Sequence, residues 1–445
     1  MAQGKEFTSK AFSLNPRFNY LPAEDRYLFA IEPTRYKFNV IGTGVNGCEH
    51  IRVTLLEGRA TIHGVYDPNP GSIALAQASF QRFRPGEELK VFDSLEAACN
   101  DPEADGLIIS TPNYTHLEVL KVAVKSGKHI FLEKPMATTV KNAYEIMQIA
   151  ESYPAVLQIG LQYRFKSMYV ESIYEALERK SLGEVKMVNI TEHRVPFLDK
   201  VKQWNKFSKF SGGTLVEKCC HYFDLLNLFS GSRAVSVYAT GSQAVNFREF
   251  EYNGEKSDIL DNAIVSVVYE NGIHANFNLC MFAPMFYEEI SVCGDEGYLK
   301  AYERQDFLKV PRPHTHLEIL KGEHKPTRIS NPCYPPHIEE SGHNGATFFE
   351  HVNLIDNLDG KESNTATVAE LMMVPGIGAT RARSIVTDRE ANGPFPDVAS
   401  LGRVPGIGPV SIRNWQPFLV ADDTETPVPV VETDATDAEP DADSP

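Results

Sequence analysis

The sequence predicts an α/β fold: a parallel sheet wound with helices, then an α+β domain with a large, mostly antiparallel sheet, then a small all-α domain. Three observations carry this. Short apolar runs alternate with helical stretches over residues 36–160, and longer strands of period-2 hydrophobicity take over after Gly160. Val374-Pro375-Gly376-Ile377-Gly378 then recurs as Val404-Pro405-Gly406-Ile407-Gly408, an internal repeat that implies two related helical hairpins.

Residues 1–35 carry scattered aromatics and prolines without periodicity and read as an irregular arm. An apolar strand at 37–41 then runs into the turn Gly42-Thr43-Gly44-Val45-Asn46-Gly47, a helix-spaced stretch at 48–56 and a second strand at 62–66. Further buried parallel strands are expected at 106–110, 129–132 and 156–159, separated by helices at 115–126 and 140–152. These fill a first domain of 36–160. A strand at 185–194 follows, and strands at 262–269 and 273–279 flank Glu270-Asn271-Gly272, whose Asn-Gly pair suits a hairpin turn. An α+β domain is therefore expected over 161–361, and the paired hairpins over 362–420. Residues 421–445 are rich in Asp, Glu, Pro and Thr, bury too little apolar surface to offset ordering, and are expected to be disordered.

Composition excludes several classes. The 445 residues are 42% hydrophobic and 23% charged, with no apolar run of membrane-spanning length and no secretory leader at the start, so a soluble cytoplasmic protein is expected. The seven cysteines are unevenly placed, include the adjacent Cys219 and Cys220, and suit reduced thiols rather than a disulfide framework or metal site. The net charge is -16, but nine acidic residues lie between Asp422 and Asp443, which leaves the remainder only mildly acidic.

The glycine turn is weak evidence alone and stronger in context. Gly42 permits the tight turn, Gly44 lets the backbone approach a pyrophosphate, and Gly47 allows close packing of a helix whose N-terminus faces the phosphates. The signature of a Rossmann-type parallel sheet is completed by Asp67, which ends the second strand where a carboxylate accepts hydrogen bonds from an adenosine ribose. Asp67 would repel a 2′-phosphate, and Pro68, Asn69 and Pro70 supply no arginine, so NAD is expected over NADP. Thr111, Pro112, Asn113 and His116 follow the strand at 106–110, and Glu133 and Lys134 the strand at 129–132. All face the carboxyl edge where ligands of an open parallel sheet bind.

If residues 214–228 form one helix, Glu217, His221 and Asp224 share a polar stripe. Oxidising a secondary alcohol requires removal of the hydroxyl proton as hydride leaves carbon, and a neutral imidazole suits that task. His221 is the candidate general base, Lys134 the cation set against the developing alkoxide, and Glu217 an orienting or electrostatic partner. Lys218 is either a substrate contact or a surface residue, and Trp204 either lines the pocket or packs in the core. No His, Cys, Asp and Glu set has metal-ligand spacing.

These segments, with Gly212-Gly213-Thr214-Leu215-Val216-Glu217-Lys218-Cys219-Cys220-His221-Tyr222-Phe223-Asp224, resemble the Gfo/Idh/MocA family of oxidoreductases over about residues 36–367. The resemblance implies hydride transfer between NAD or NADP and a secondary alcohol of a polyol, sugar or cyclitol, in a homo-oligomer (dimer or tetramer) joined through the second sheet. Gln162-Tyr163-Arg164-Phe165 also matches a family segment, which places Arg164 against cofactor or substrate or leaves it as a solvated crossover residue. The motif departs from the DxGxH common in the family, with Glu217, Lys218 and Cys219 where relatives have Asp, a variable residue and Gly. Residues 364–420 resemble the paired helix-hairpin-helix domain of the ComEA group, which implies DNA phosphate contact at Gly376, Gly378, Gly406 and Gly408. The rival reading is a DNA-binding protein that uses a non-catalytic or truncated dehydrogenase as scaffold.

Overall fold

A computed structural model describes residues 34–305, 313–322, 325, 327–359, 379–392, 395, 398–408 and 411–412. The amino-terminal arm before residue 34, the first Pro-Gly-Ile-Gly turn with Gly376 and Gly378, the junction at 364–367 and the acidic tail lie outside the described residues. The chain divides into two units, Met1–Lys361 and Glu362–Pro445.

The first sheet is six parallel strands in the order β3-β2-β1-β4-β5-β6: β1 Tyr36–Ile41, β2 Ala60–Tyr66, β3 Lys90–Val91, β4 Gly106–Ile109, β5 His129–Glu133 and β6 Leu157–Gly160. Its central strands are almost wholly buried because helices cover both faces. Phe38, Val40, Ile108 and Phe131 pack on one side with Ile51 and Leu55 of the Val45–Glu57 helix. Leu107, Ile109, Ile130 and Leu132 pack on the other with Leu117, Leu120 and Ile146. The order reverses between β1 and β4, and the loops leaving their carboxyl ends form the crevice in which such sheets bind ligands. The Ala346–Leu358 helix lies late in the chain, yet it returns to this sheet and contributes Leu354 and Ile355 to the first core.

The second sheet has eight strands in the order β16-β15-β14-β13-β7-β12-β11-β8. They are β7 Val185–His193, β8 Ala234–Ser242, β11 Asn262–Tyr269, β12 His274–Cys280, β13 Phe286–Gly294, β14 Tyr298–Gln305, β15 His314–Leu320 and β16 Arg328–Ser330, with β9 Glu251–Tyr252 and β10 Glu255–Lys256 forming a separate ribbon. Among the described residues of this sheet only the β7–β12 pair is parallel. Burial alternates residue by residue in β11, β12, β14 and β15, as expected of a sheet with one covered face. That face packs on the Cys220–Ser230 helix, where Tyr222 stacks on Phe277 with ring centroids 4.9 Å apart.

Residues 214–228 do not form the continuous helix expected from sequence. The Thr214–Glu217 turn ends at Lys218, and a second helix begins at Cys220. The break separates Glu217 from the helix face that carries His221 and Asp224.

In the second unit, the Ala379–Asn392 helix leads to a short 3₁₀ helix at Val398–Arg403 and then to the second glycine turn. Ile385, Phe395, Leu401, Val404 and Ile407 are buried, and Arg403 covers Phe395 with its guanidinium 4.0 Å from the ring centroid. Gly406 holds φ +87° in this turn, a conformation that favours glycine.

Candidate active site

Four loops at the carboxyl edge of the first sheet build the site. Gly42 leaves β1 with φ +88°, and a Cβ there would fall 2.7 Å from the Ser110 carbonyl oxygen. A Cβ on Gly47 would lie 2.1 Å from the Gly42 carbonyl oxygen, so both glycines are needed for the strand to turn this tightly into its helix. A Cβ on Gly44 would meet nothing within 4 Å. Gly44 and Val45 are exposed, with Asn46 half-buried, and no side chain caps this 13-residue helix. Its first amides therefore form a bare, positively polarised cradle that fits a dinucleotide pyrophosphate. Asp67 braces the cradle, because one carboxylate oxygen accepts from the Thr43 amide at 2.8 Å and the other from the Asn69 amide at 2.8 Å.

The segments after β4 and β5 hold each other rather than both opening to ligand. Thr111 and Pro112 are half-buried at the edge. His116 is fully buried, with one ring nitrogen 2.9 Å from the Pro135 carbonyl oxygen and the other 3.0 Å from that of Thr111. It clamps the two loops together and has no ring nitrogen left for a cofactor. Asn113 is also turned inward, donating to the Glu217 carboxylate at 2.5 Å.

Glu133 is likewise a positioning residue. One of its oxygens lies 2.8 Å from His50 Nε2 and the other accepts from the Lys134 amide at 2.9 Å. His50 Nδ1 is 2.9 Å from His351 Nε2, which ties the backbone of Lys134 to the Ala346–Leu358 helix. Burial and the neighbouring charge of His50 keep His351 well below the ordinary histidine range, whereas the hydrogen bond and charge of His50 overcome burial and hold Glu133 low. The nearby Glu350 is fully buried with neither carboxylate oxygen hydrogen-bonded among the described residues. Burial, then the charges of Glu133 and Glu49, push it well above the carboxylate range.

The second domain brings the Glu217–His221 segment against Lys134. Gly212, at φ +83°, makes this possible: a Cβ there would lie 3.0 Å from the Thr138 carbonyl oxygen just beyond β5. Lys134 Nζ donates to the Glu217 carbonyl oxygen at 3.0 Å. Burial alone would depress its pKa, but the charges of Glu217 and Glu133 outweigh that and hold the ammonium above the ordinary lysine range. His221 is 2% exposed, stacks on Tyr163 with centroids 4.0 Å apart, and has no partner for Nδ1 among the described residues. Burial pushes its pKa well below 6.5, and the charges of Lys134 and Lys218 act the same way. The site thus pairs a neutral imidazole with a charged ammonium.

Lys218 points inward. It donates to the Tyr163 hydroxyl and lies 3.4 Å from Glu192 Oε1, and burial pulls its pKa down. Arg164 forms a two-point pair with Asp224 at 2.7 and 2.6 Å. That pair also removes Asp224 from the expected polar stripe. Trp204 is buried, with the Lys200 ammonium 5.2 Å from its ring centroid. Sequence reasoning missed Glu192, Arg194, His50 and His351. Glu192 and Arg194 lie in the strand expected at 185–194, while His50 and His351 sit on helices and meet Glu133 only through packing. Among the described residues no cluster of His, Cys, Asp and Glu suits a metal, and no helix is long and apolar enough to cross a membrane.

A parallel dinucleotide-binding sheet joined to a broad open sheet, with a lysine and a histidine between them, defines an oxidoreductase class. The chain belongs to the Gfo/Idh/MocA oxidoreductase family: residues 36–161 match "Oxidoreductase family, NAD-binding Rossmann fold" and 174–387 match "Oxidoreductase family, C-terminal alpha/beta domain". Residues 359–420 match "Helix-hairpin-helix motif". The chain is 27% identical to the uncharacterized oxidoreductase YrbE of Bacillus subtilis over 227 residues, 48% of this chain and 63% of that protein, so the match spans less than two thirds of YrbE. It is 26% identical to inositol 2-dehydrogenase of Rhizobium meliloti over 290 residues, 64% of this chain and 79% of that enzyme. It is 22% identical to 1-carboxy-3-chloro-3,4-dihydroxycyclohexa-1,5-diene dehydrogenase of Comamonas testosteroni over 274 residues, 61% of this chain and 64% of that one. The fold is shared with GenD2 from gentamicin A biosynthesis, solved in complex with NAD, at TM-score 0.58 and 19% identity, covering 80% of this chain and 93% of that one.

Proposed function

We propose that this chain is an NAD-dependent dehydrogenase that transfers hydride between nicotinamide and a secondary alcohol carbon of a sugar or cyclitol. The observation that carries this reading is the neutral, buried His221, with an unpartnered ring nitrogen, beside the charged Lys134. His221 accepts the hydroxyl proton and returns it in the reverse direction. Lys134 offsets the negative charge that develops on the same oxygen, and the low-dielectric surroundings strengthen that effect. Glu133 and His50 fix the Lys134 backbone, and Glu217 keeps the lysine charged while its own carboxylate is held by Asn113. The backbone at Gly44, Val45 and Asn46 would hold the pyrophosphate of a dinucleotide, and Asp67 would accept hydrogen bonds from its adenosine ribose. The dinucleotide, when bound, supplies the nicotinamide that takes up hydride. The relatives named inositol 2-dehydrogenase and dihydroxycyclohexadiene dehydrogenase support a hydroxylated ring as substrate.

The test is a screen of sugars and cyclitols with NAD, followed by His221→Ala and Lys134→Ala on the best substrate. Each variant is expected to lose roughly 10²–10⁴ in turnover while NADH fluorescence titration remains near wild type. Near-wild-type turnover in either would assign that residue a structural role.

For residues 359–420 the helix-hairpin-helix match and the left-handed Gly406 support a second, separate reading, sequence-independent contact with DNA phosphates. Salt-dependent retention of duplex DNA by the full chain is the expected outcome, and retention that does not fall with salt would refute it.

A further inference from the structure

We propose that Tyr163 is the positioning residue of His221: its ring face fixes the plane of the imidazole and supports the positive charge that His221 takes up with the substrate proton. This deepens the dehydrogenase reading and, for its effect on turnover, rests on it. It starts from what His221 lacks. A histidine that acts as a base is oriented by a third group, commonly a carboxylate or carbonyl on its other ring nitrogen. His221 Nδ1 is buried and has no hydrogen-bond partner among the described residues.

The stack takes that place. The Tyr163 and His221 rings have centroids 4.0 Å apart and lie 9° from parallel. The lone pair of a ring nitrogen lies in the plane of the imidazole, so a flat neighbour at this distance dictates the direction from which a proton is received. Turning the His221 ring out of that plane would drive its edge into the phenol. Tyr163 sits in the short Gln162–Phe165 turn where the chain leaves β6, and His221 near the start of the Cys220–Ser230 helix. The contact therefore ties the base to the end of the dinucleotide-binding sheet.

Tyr163 is itself held fast. It is 4% exposed, its hydroxyl accepts from Lys218, and Tyr222 packs against it edge-on with ring centroids 5.5 Å apart. The ammoniums of Lys166 and Lys218 lie 4.8 and 4.5 Å from its ring centroid. Both are paired, Lys166 with Glu288 at 2.8 Å and Glu303 at 2.7 Å, and Lys218 with Glu192 at 3.4 Å, so they pin the ring with their charge already offset. When His221 gains a proton in this buried place, no carboxylate at Nδ1 offsets the new charge, and the π face of Tyr163 does so instead. Phenylalanine at this position would keep that face, and an aliphatic side chain would remove it.

The experiment reads the stack in the full-length protein by nuclear magnetic resonance and then its effect on turnover. With histidine rings isotopically labelled, the His221 ring protons, identified by their loss in His221→Asn, should be shifted upfield by the ring current of Tyr163. Tyr163→Phe should keep that shift, while Tyr163→Leu and the better-filling Tyr163→Met should abolish it. On the best ring alcohol of the screen with NAD, Tyr163→Phe should retain most of the turnover. Tyr163→Leu and Tyr163→Met should lose roughly ten- to thirtyfold in kcat, the scale of a desolvated cation–π contact, with KM and NADH affinity near wild type. A purely structural role would lower the unfolding temperature without separating Tyr163→Phe from the aliphatic variants in kcat. Absence of the upfield shift in wild type, or equal kcat in Tyr163→Phe and Tyr163→Met, would overturn the proposal. Wild type that oxidises no ring alcohol would instead sink the dehydrogenase reading, and the ring-current shift would still decide the stack.

Discussion

Glu49 offers a quantitative test of how the late helix is fastened to the dinucleotide domain. It sits in the Val45–Glu57 helix, and its Oε1 accepts from Thr347 at 2.6 Å and lies 2.7 Å from His343 Nδ1. Burial alone would raise its pKa, but the charge and hydrogen bond of His343, then Thr347, pull it from the ordinary 4.5 down to about 2. At about 1.4 kcal/mol per tenfold change in proton affinity, this amounts to roughly 3 kcal/mol for the ionised carboxylate. Glu49→Gln keeps the shape and one acceptor, so that figure is an upper bound. Because the folded value is depressed, the stabilisation is complete above about pH 4.5 and is lost as pH falls from there towards 2. At roughly 2–4 °C per kcal/mol for domains somewhat smaller than this one, the variant should unfold up to about 6 °C below wild type at pH 7, taking the low end of that range. Thermal unfolding followed by circular dichroism at pH 7 and pH 3.5 checks both points, and the gap should narrow on acidification. Equal unfolding temperatures at pH 7, or a gap that widens in acid, would refute the reasoning.

Other outcomes follow from the same geometry. NAD should be preferred over NADP, and Asp67→Ala should narrow that preference; a cofactor comparison that finds it unchanged removes Asp67 from the argument. Because His221 must be neutral to accept a proton and its pKa lies well below 6.5, kcat/KM for alcohol oxidation should show no loss from His221 protonation as pH falls from 7.5 to 6.5. A histidine-like inflection near 6.5 that disappears in His221→Asn would contradict this. Gly47→Ala drives a Cβ into the Gly42 carbonyl, so NADH affinity measured by fluorescence should collapse, and wild-type affinity would show that the turn can relax. Truncation after Lys361 should leave NADH affinity and unfolding temperature largely unchanged if residues 362–445 form an independent unit. Aggregation of the shortened protein would show that the enzyme depends on residues beyond Lys361.

Local patterns made the elements of this protein legible. The near-continuous apolar runs of β1, β4 and β5 signal strands covered on both faces, and the spacing of Gly42, Gly44 and Gly47 encodes a turn that backbone sterics alone demand. The strands β11 and β12 are equally readable, since alternation along a half-covered sheet repeats every two residues. Lys134 and His221 could be singled out by chemistry and by their place after a strand and on a helix. The helix containing His221 was only half legible, because apolar spacing continues across Lys218 and Cys219 while the structure breaks there.

Tertiary packing alone decided the partners. The contacts from Glu133 to His50, from His50 to His351, from Arg164 to Asp224 and from Lys218 to Glu192 join residues far apart in the chain or on different elements. No local period records them. Sequence periodicity specifies which face of an element is buried, but which charged groups meet across that buried face depends on how two sheets and a returning helix are stacked. Arg164 and His116 were therefore drawn into structural pairs and clamps, while Glu192 and His50, inconspicuous in sequence, were brought against Lys218 and Glu133.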